Sequence, residues 1–303
     1  PSPIVEEVAP RQRLLTKDLI RSCFPPRLPD AHKGTTGHLL IVAGSIGKTG
    51  AAAMNSISAL RSGAGLVTLG IAKSLNDVLE SQVLEAMTAP LPETQPGVLG
   101  ETAFAKIKDL MAGKKCVALG PGLGLAAKTK RLVRKIIESA PIPIVVDADG
   151  LNNLAGQAQI LKSARVPVIL TPHPGEMARL VDTGVSAVQQ DRIKCARDFA
   201  GAYKVHVILK GARTVIAHPD GRVFINPTGN AGMASGGMGD VLTGIIAGLI
   251  AQGLGPEEAC RAGVYLHGAA ADSLAQSIGP YGYLAGDLMA AIPGEIKKVL
   301  SRA

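Results

Sequence analysis

From His38 onward the chain alternates short, continuous apolar runs with segments of helical periodicity, and this rhythm constrains its fold more than any other feature. Residues 39–43, 66–71, 117–119, 144–146, 168–170 and 205–209 read as strands. They lack strict inside–outside alternation, so both faces are buried, the pattern of parallel strands covered by helices on either side. Helical patterns occupy residues 50–63, 101–112 and 128–139, and later about 239–252, 257–274 and 285–301. Residues 213–217 and 222–225 flank His218-Pro-Asp-Gly221, a turn signal, and read as antiparallel strands at one edge. No linker or repeat interrupts the series. The expectation is a single domain over residues 1–303, of the three-layer α/β/α class, with a mostly parallel central sheet and helices on both faces. Residues 1–30 are expected to be an N-terminal extension packing on that core, with a short helical pattern near residues 16–22.

Composition narrows the partners. A hydrophobic content of 47% over 303 residues supports a substantial core, while aromatics make up 3%, Trp is absent and Gly numbers 36. That favours tight turns and small-residue packing over a surface that stacks on bases. A net charge of +8 favours anionic partners, but the Lys and Arg residues are scattered, with no block to form a nucleic-acid arm. Small anionic ligands therefore rank ahead of nucleic acid. Cys23, Cys116, Cys195 and Cys260 stand far apart without a Cys-x-x-Cys pair, which argues against a zinc site or disulfide framework and for a reducing compartment. No charged-then-apolar leader opens the chain, and its longest apolar run, around residues 241–251, is too short to span a bilayer. The opening at Pro1 without Met fits a trimmed beginning. A soluble, cytoplasmic protein with no membrane partner is expected.

In sheets of this kind ligands bind beyond the carboxyl ends of the strands, so the loops that follow them carry the chemistry. The most informative is Asn230-Ala-Gly-Met-Ala-Ser-Gly-Gly-Met-Gly-Asp240, which runs into the apolar helix. Backbone N–H groups at a helix start have no intrahelical partner, and the helix dipole adds partial positive charge there. Gly236, Gly237, Met238 and Gly239 form an expected anion hole, open to close approach by a phosphate. Asp240 falls in the first helical turn as the candidate general base; its plain alternative is a helix-terminal acid that complements the dipole.

Gly44-Ser-Ile-Gly-Lys-Thr-Gly50 looks like a phosphate loop, but that motif needs four residues between its first Gly and Gly-Lys, and Val42 holds the required Gly position. Gly120-Pro-Gly-Leu-Gly124 reads equally as an anion contact or a tight turn. Asp147 and Asp149 follow a strand and suit a metal held directly or through water; alternatively Asp149 caps the next helix. His173 lies between two prolines, rigid enough to orient a substrate, and Glu176 either joins the site or serves the following helix. Lys210, Gly211, Ala212, Arg213 and Thr214 offer backbone and cationic groups to a nucleotide phosphate chain, or simply lead into a hairpin. The histidines at 32, 38, 206, 218 and 267 show no catalytic spacing and read as structural.

Together with His32-Lys-Gly34, Ala43-Gly-Ser45 and Gly63-Ala-Gly-Leu66, these segments resemble, in order, the ADP/ATP-dependent NAD(P)H-hydrate dehydratases, from about Leu14 to the C-terminus. The Asn230–Asp240 stretch is the most specific part of the match. Ser235 stands where Thr is common in that family, a small departure beside the cradle. The resemblance implies a ribokinase-like fold without a lid domain, and a repair reaction that returns S-NADHX and S-NADPHX to NADH and NADPH. ADP or ATP would be the phosphoryl donor, with Mg2+ as cofactor. It implies that Ala43, Gly122, His173 and Asp240 contact the hydrated cofactor, while Lys210, Gly211, Ala212, Arg213, Thr214 and Gly239 contact the nucleotide. Asp147 and Glu176 would belong to a water-linked magnesium shell.

The resemblance further implies a homotetramer and an NAD(P)HX epimerase as functional partner, which this length of chain is expected not to include. An ordinary Asp, with a pKa of about 4, is a weak base for an alcohol, workable if phosphoryl transfer is loose and the proton leaves late. A kinase of a small alcohol, of the thiazole or pyridoxine type, would share the fold and base. A silent nucleotide-binding regulator would share the cradle alone.

Overall fold

The computed structural model describes residues 11–301. Ten strands form one sheet in the order β1-β12-β11-β10-β9-β8-β7-β2-β3-β4. Its centre comprises β2 (His38–Val42), β3 (Leu66–Ala72), β7 (Cys116–Leu119), β8 (Ile144–Val146), β9 (Val168–Leu170) and β10 (His206–Leu209), all mutually parallel. Every residue of β7, β8 and β9 is buried, as expected from their unalternating sequence. The α/β/α class and the parallel core stand as expected.

The edges differ from the sequence reading. β11 (Val215–Ala217) and β12 (Val223–Ile225) do pair antiparallel, but β1 (Gln12–Leu14) adds beyond them, parallel to β12, so they are not the edge. At the other side β4 (Met87–Leu91) extends the sheet. Both extra strands have polar or proline-containing sequences, which edge positions tolerate because one side of the ladder is unpaired. A small hairpin of β5 (Glu93–Gln95) and β6 (Val98–Leu99) stands apart. The expected helix over 101–112 is a 3-10 turn, Glu101–Ala103, followed by the helix Phe104–Leu110. Of the expected N-terminal extension, residues 1–10 lie outside the described residues. After β1 the chain buries Leu15 and Ile20, and the Arg21 Nε donates to the Val299 carbonyl at 3.0 Å.

Chain order places the site. From β2 the chain runs outward through β3 and β4, then returns to β7 on the opposite side of β2 and continues to β10. The order in which the chain adds strands reverses between the parallel β2 and β7, and ligands favour the carboxyl ends near such a reversal. Against the sheet lies the helix Met238–Ala251, in which 12 of 14 residues are buried. Only Gly239 and Asp240 are not. The helix Thr49–Arg61 packs so closely on it that a Cβ at Gly244 would collide with Ser58 Oγ and the Asn55 carbonyl.

Candidate functional site

The ladder continues past the strand ends: Gly120 N–H donates to Val42 O, Asp147 N–H to Leu119 O, Thr171 N–H to Val146 O, and Lys210 N–H to Pro172 O. Each loop is thereby fixed to the one before it. At their mouth lies a cleft of about 800 Å³ lined by Asp147, His173, Lys210 to Thr214 and residues 237–240. Four of the motif segments, remote in sequence, thus meet; the loops after β2 and β7 do not join them.

Gly237, with φ +88°, caps the start of Met238–Ala251 without any side-chain hydrogen bond. A Cβ there would press on Met54 Sδ, so both the backbone angle and the space call for glycine. Among the described residues no acceptor meets the N–H groups of residues 236–240; the first helical bond is Val241 N–H to Gly237 O. An uncapped, dipole-positive helix start opening on a cleft has unpaired N–H groups of the kind that suit an anion.

Asp240 sits in that first turn, and its carboxyl accepts no hydrogen bond among the described residues. Burial, with the charges of Asp147, Asp149 and Glu176 added, pushes its pKa up to about 7 despite the opposing Lys210. The expected pKa of about 4 is therefore corrected: desolvation and like charge disfavour the anion. A carboxyl poised near neutral pH is a far better general base.

Lys210 reaches into the same cluster. Its Nζ lies 2.9 Å from Asp147 Oδ1 and 3.7 Å from Glu176 Oε2. Burial works against the ammonium, but Asp147, Glu176 and Asp240 outweigh it and raise its pKa. Thr243 Oγ1 donates to the other Asp147 oxygen at 2.7 Å. Between the two acids Ala148 takes φ 51°, a left-handed conformation uncommon outside glycine, which splays them. Asp149 faces away and accepts from Lys48 Nζ at 2.8 Å and Gly124 N–H at 2.9 Å. Its expected capping of the next helix is not seen; Ala148 occupies that position, with no side-chain bond.

His173 and Glu176 form a capping box for the helix Pro174–Leu180. His173 Nδ1 accepts from Gly175 N–H at 3.0 Å and Glu176 Oε2 accepts from His173 N–H at 2.8 Å. With Nδ1 accepting, a neutral ring carries its proton on Nε2. Glu176 serves its helix, as the plainer alternative had it, while remaining beside Lys210. Ala43 and Gly122 do not line the cleft. They lie at the β2/β7 reversal, where Gly44 N–H donates to Pro121 O at 2.8 Å and Ser45 Oγ to Gly122 O at 2.7 Å. Gly236 is exposed at the rim.

Sequence reasoning missed several contributors. His267 is buried, and its Nε2 donates to Met238 O at 2.9 Å, steadying the helix start. Asp272 holds Gly229 N–H and Asn230 Nδ2, and Tyr283 Oη donates to Asn230 Oδ1 at 2.6 Å. These residues sit on later helices and loops at no readable spacing. No group of three or more His, Cys, Asp or Glu side chains is placed to hold a metal directly, among the described residues. No described helix is long and apolar enough to cross a membrane.

The profile of the NAD(P)H-hydrate dehydratase family matches residues 39–294. A bifunctional NAD(P)H-hydrate repair enzyme of Moorella thermoacetica is 46% identical over 282 residues, 93% of this chain and 53% of that protein. An ADP-dependent (S)-NAD(P)H-hydrate dehydratase of Neisseria meningitidis is 40% identical over 92% of this chain and 91% of its own. The ADP/ATP-dependent NAD(P)H-hydrate dehydratase of Bacillus subtilis, co-crystallised with ATP/Mg2+, superposes with a TM-score of 0.82 at 32% identity, covering 95% and 98% of the two chains. The chain spans about half the length of the bifunctional relatives it matches. Fold and site together define a ribokinase-like protein with an uncapped helix start at the carboxyl edge of its sheet. Within that class, the chain belongs to the NAD(P)H-hydrate dehydratase family.

Proposed function

We propose that this protein dehydrates S-NADHX and S-NADPHX back to NADH and NADPH at the expense of ADP or ATP. The observation that carries the reading is Asp240. Its carboxyl, free of hydrogen bonds and lifted to about 7, shares one cleft with the uncapped helix start and the Lys210 loop.

Water is a poor leaving group and phosphate a good one. Asp240 takes the proton of the ring hydroxyl as that oxygen attacks the terminal phosphoryl group of the nucleotide. The free N–H groups at Gly236, Gly237, Met238 and Gly239 stabilise charge on the transferred oxygens. The ring nitrogen then expels phosphate, and loss of a proton from the neighbouring ring carbon re-forms the double bond of the reduced nicotinamide. Lys210, Gly211, Ala212, Arg213 and Thr214 hold the nucleotide, with His173 on the hydrated cofactor.

Asp147 and Glu176 suit magnesium through water rather than directly, because Lys210, Thr243 and the His173 N–H already engage their oxygens. When bound with the nucleotide, magnesium would neutralise phosphate charge. Bifunctional relatives support an epimerase partner that supplies the correct hydrate. A cytoplasmic homotetramer, of one ribokinase-like domain over residues 1–303, completes the reading; it rests on the family resemblance.

The test is incubation of purified protein with hydrated NADH, Mg2+ and either ADP or ATP, followed at the dihydronicotinamide absorption band. Recovery of the band dependent on nucleotide is expected. A stable phosphate ester without recovery would point to a small-alcohol kinase, and no turnover to a regulator.

A further inference from the structure

Arg192 opens the helix Arg192–Tyr203 and reaches across to the turn after β10. Its Nη1 donates to the Ala212 carbonyl at 2.6 Å, and its Nη2 to the carbonyls of Leu209 and Lys210 at 2.9 and 3.2 Å. Its Nε is buried and meets no acceptor among the described residues. Burial pulls the guanidinium pKa down, and no carboxylate forms an ion pair with it among the described residues. A partly buried cation bound only to carbonyls carries a desolvation cost that packing alone does not explain.

The geometry of the turn supplies a reason. In a trans peptide the C=O and N–H point to opposite sides. Fastening the Lys210 and Ala212 carbonyls to Arg192 therefore turns the Gly211 and Arg213 N–H groups away from it. The N–H groups of Gly211, Ala212 and Arg213 meet no acceptor among the described residues, and all three residues line the cleft. Gly211 takes φ +139°, and a Cβ there would stand 3.0 Å from Arg192 Nη2. Arg213 has φ 56°, so the turn mixes backbone hands in the manner of an anion-binding nest.

Charge argues the same way. The cleft gathers Asp147, Glu176 and Asp240 around Lys210, so a polyanionic ligand enters a field already rich in carboxylate. A fixed positive charge behind the turn offsets that field.

We propose that Arg192 is a positioning residue for the nucleotide: it pins the carbonyls of the turn, presents the opposite N–H row to the phosphate chain, and lends positive charge from behind. It touches no ligand itself. The inference rests on the reading that this turn holds the adenine nucleotide.

The test compares wild type, Arg192→Met and Arg192→Lys by calorimetric titration with ADP and ATP, by separate KM values for nucleotide and hydrated NADH, and by thermal melting. Arg192→Met should weaken nucleotide binding by about 10- to 100-fold, the scale of lost charge-assisted hydrogen bonds. The KM for hydrated NADH should stay within about twofold, because the His173 side of the cleft keeps its own hydrogen bonds. Arg192→Lys retains charge but not the fork, so it should fall between the two; it also keeps the comparison open should Arg192→Met fail to fold. Methylguanidinium should restore part of the nucleotide affinity of Arg192→Ala. Wild-type nucleotide affinity in these variants would overturn the proposal. So would an equal loss for both ligands that follows the melting temperature, since that marks a scaffold residue. A wild-type protein that binds no adenine nucleotide would instead remove the functional reading and, with it, the proposal.

Discussion

At the scale of single residues, the site works by crowding acids into a place with too few cations. Asp147 secures Lys210 and Thr243, Asp149 turns to Lys48, and Asp240 is left to absorb the repulsion. The cost of ionising it suits it to the base role proposed for it. Since the carboxyl must be ionised to accept a proton, activity should rise with pH through about 7 and level off above. A profile of kcat/KM against pH, taken on free enzyme, checks this. A rate already flat from pH 5 upward would remove the elevated carboxyl from the mechanism. Asp240→Asn should keep adenine-nucleotide binding while losing about 10²- to 10⁴-fold in turnover, the usual range for a lost general base. Near-wild-type turnover in that variant would refute the role.

At the scale of elements, the buried helix Met238–Ala251 delivers both the unpaired N–H groups and the Asp240 carboxyl to the cleft. Its position depends on close approach to the helix Thr49–Arg61, where Gly244 and Gly248 face Ser58 and Ser62. Gly244→Ala should lower stability by about 1–3 kcal/mol through overpacking, despite the higher helix propensity of Ala. Chemical denaturation measures this, and a variant as stable as the wild type would show that the helices are free to separate. The sequence was a good guide to this layer of structure, because fully buried parallel strands such as Val168–Leu170 and apolar helices announce themselves as continuous runs. Gln12–Leu14 and Met87–Leu91 escaped because edge strands need no apolar code. The same limit applied in the site. The glycines of residues 236–239 and Asp240 were legible as a motif, and at Gly237 the helix entry itself calls for glycine. The Thr243–Asp147 bond, spanning 96 positions, and the His267 support of Met238 arise from packing and leave no local signal.

At the scale of the whole molecule, four imidazoles are stored in neutral form. Burial pushes the pKa of His38, His206 and His267 down to about 4, and that of His218 to about 3. His206 and His218 meet through Nδ1 atoms 2.8 Å apart, an arrangement that needs one ring to donate and the other to accept. Their folded pKa values lie below the unfolded value of about 6.5, so the unfolded chain takes up protons that the folded chain refuses. The stability they support is complete above that value and is lost as pH falls from about 6.5 toward 4. For a fully enclosed ring such as His267 the loss amounts to about 2 kcal/mol by pH 5. Asp240 acts in the opposite sense: its raised pKa makes the fold more stable as pH drops below about 7. One carboxyl set against four rings leaves the imidazoles dominant. The urea midpoint should therefore fall steadily between pH 7.5 and pH 5, and His267→Gln should flatten the slope by its share even if it lowers the plateau. A midpoint unchanged over that interval would mean that the rings take up protons in the folded protein as readily as in the unfolded chain. The Nδ1 contact between His206 and His218 could not then persist, because two imidazolium rings have no acceptor to offer each other.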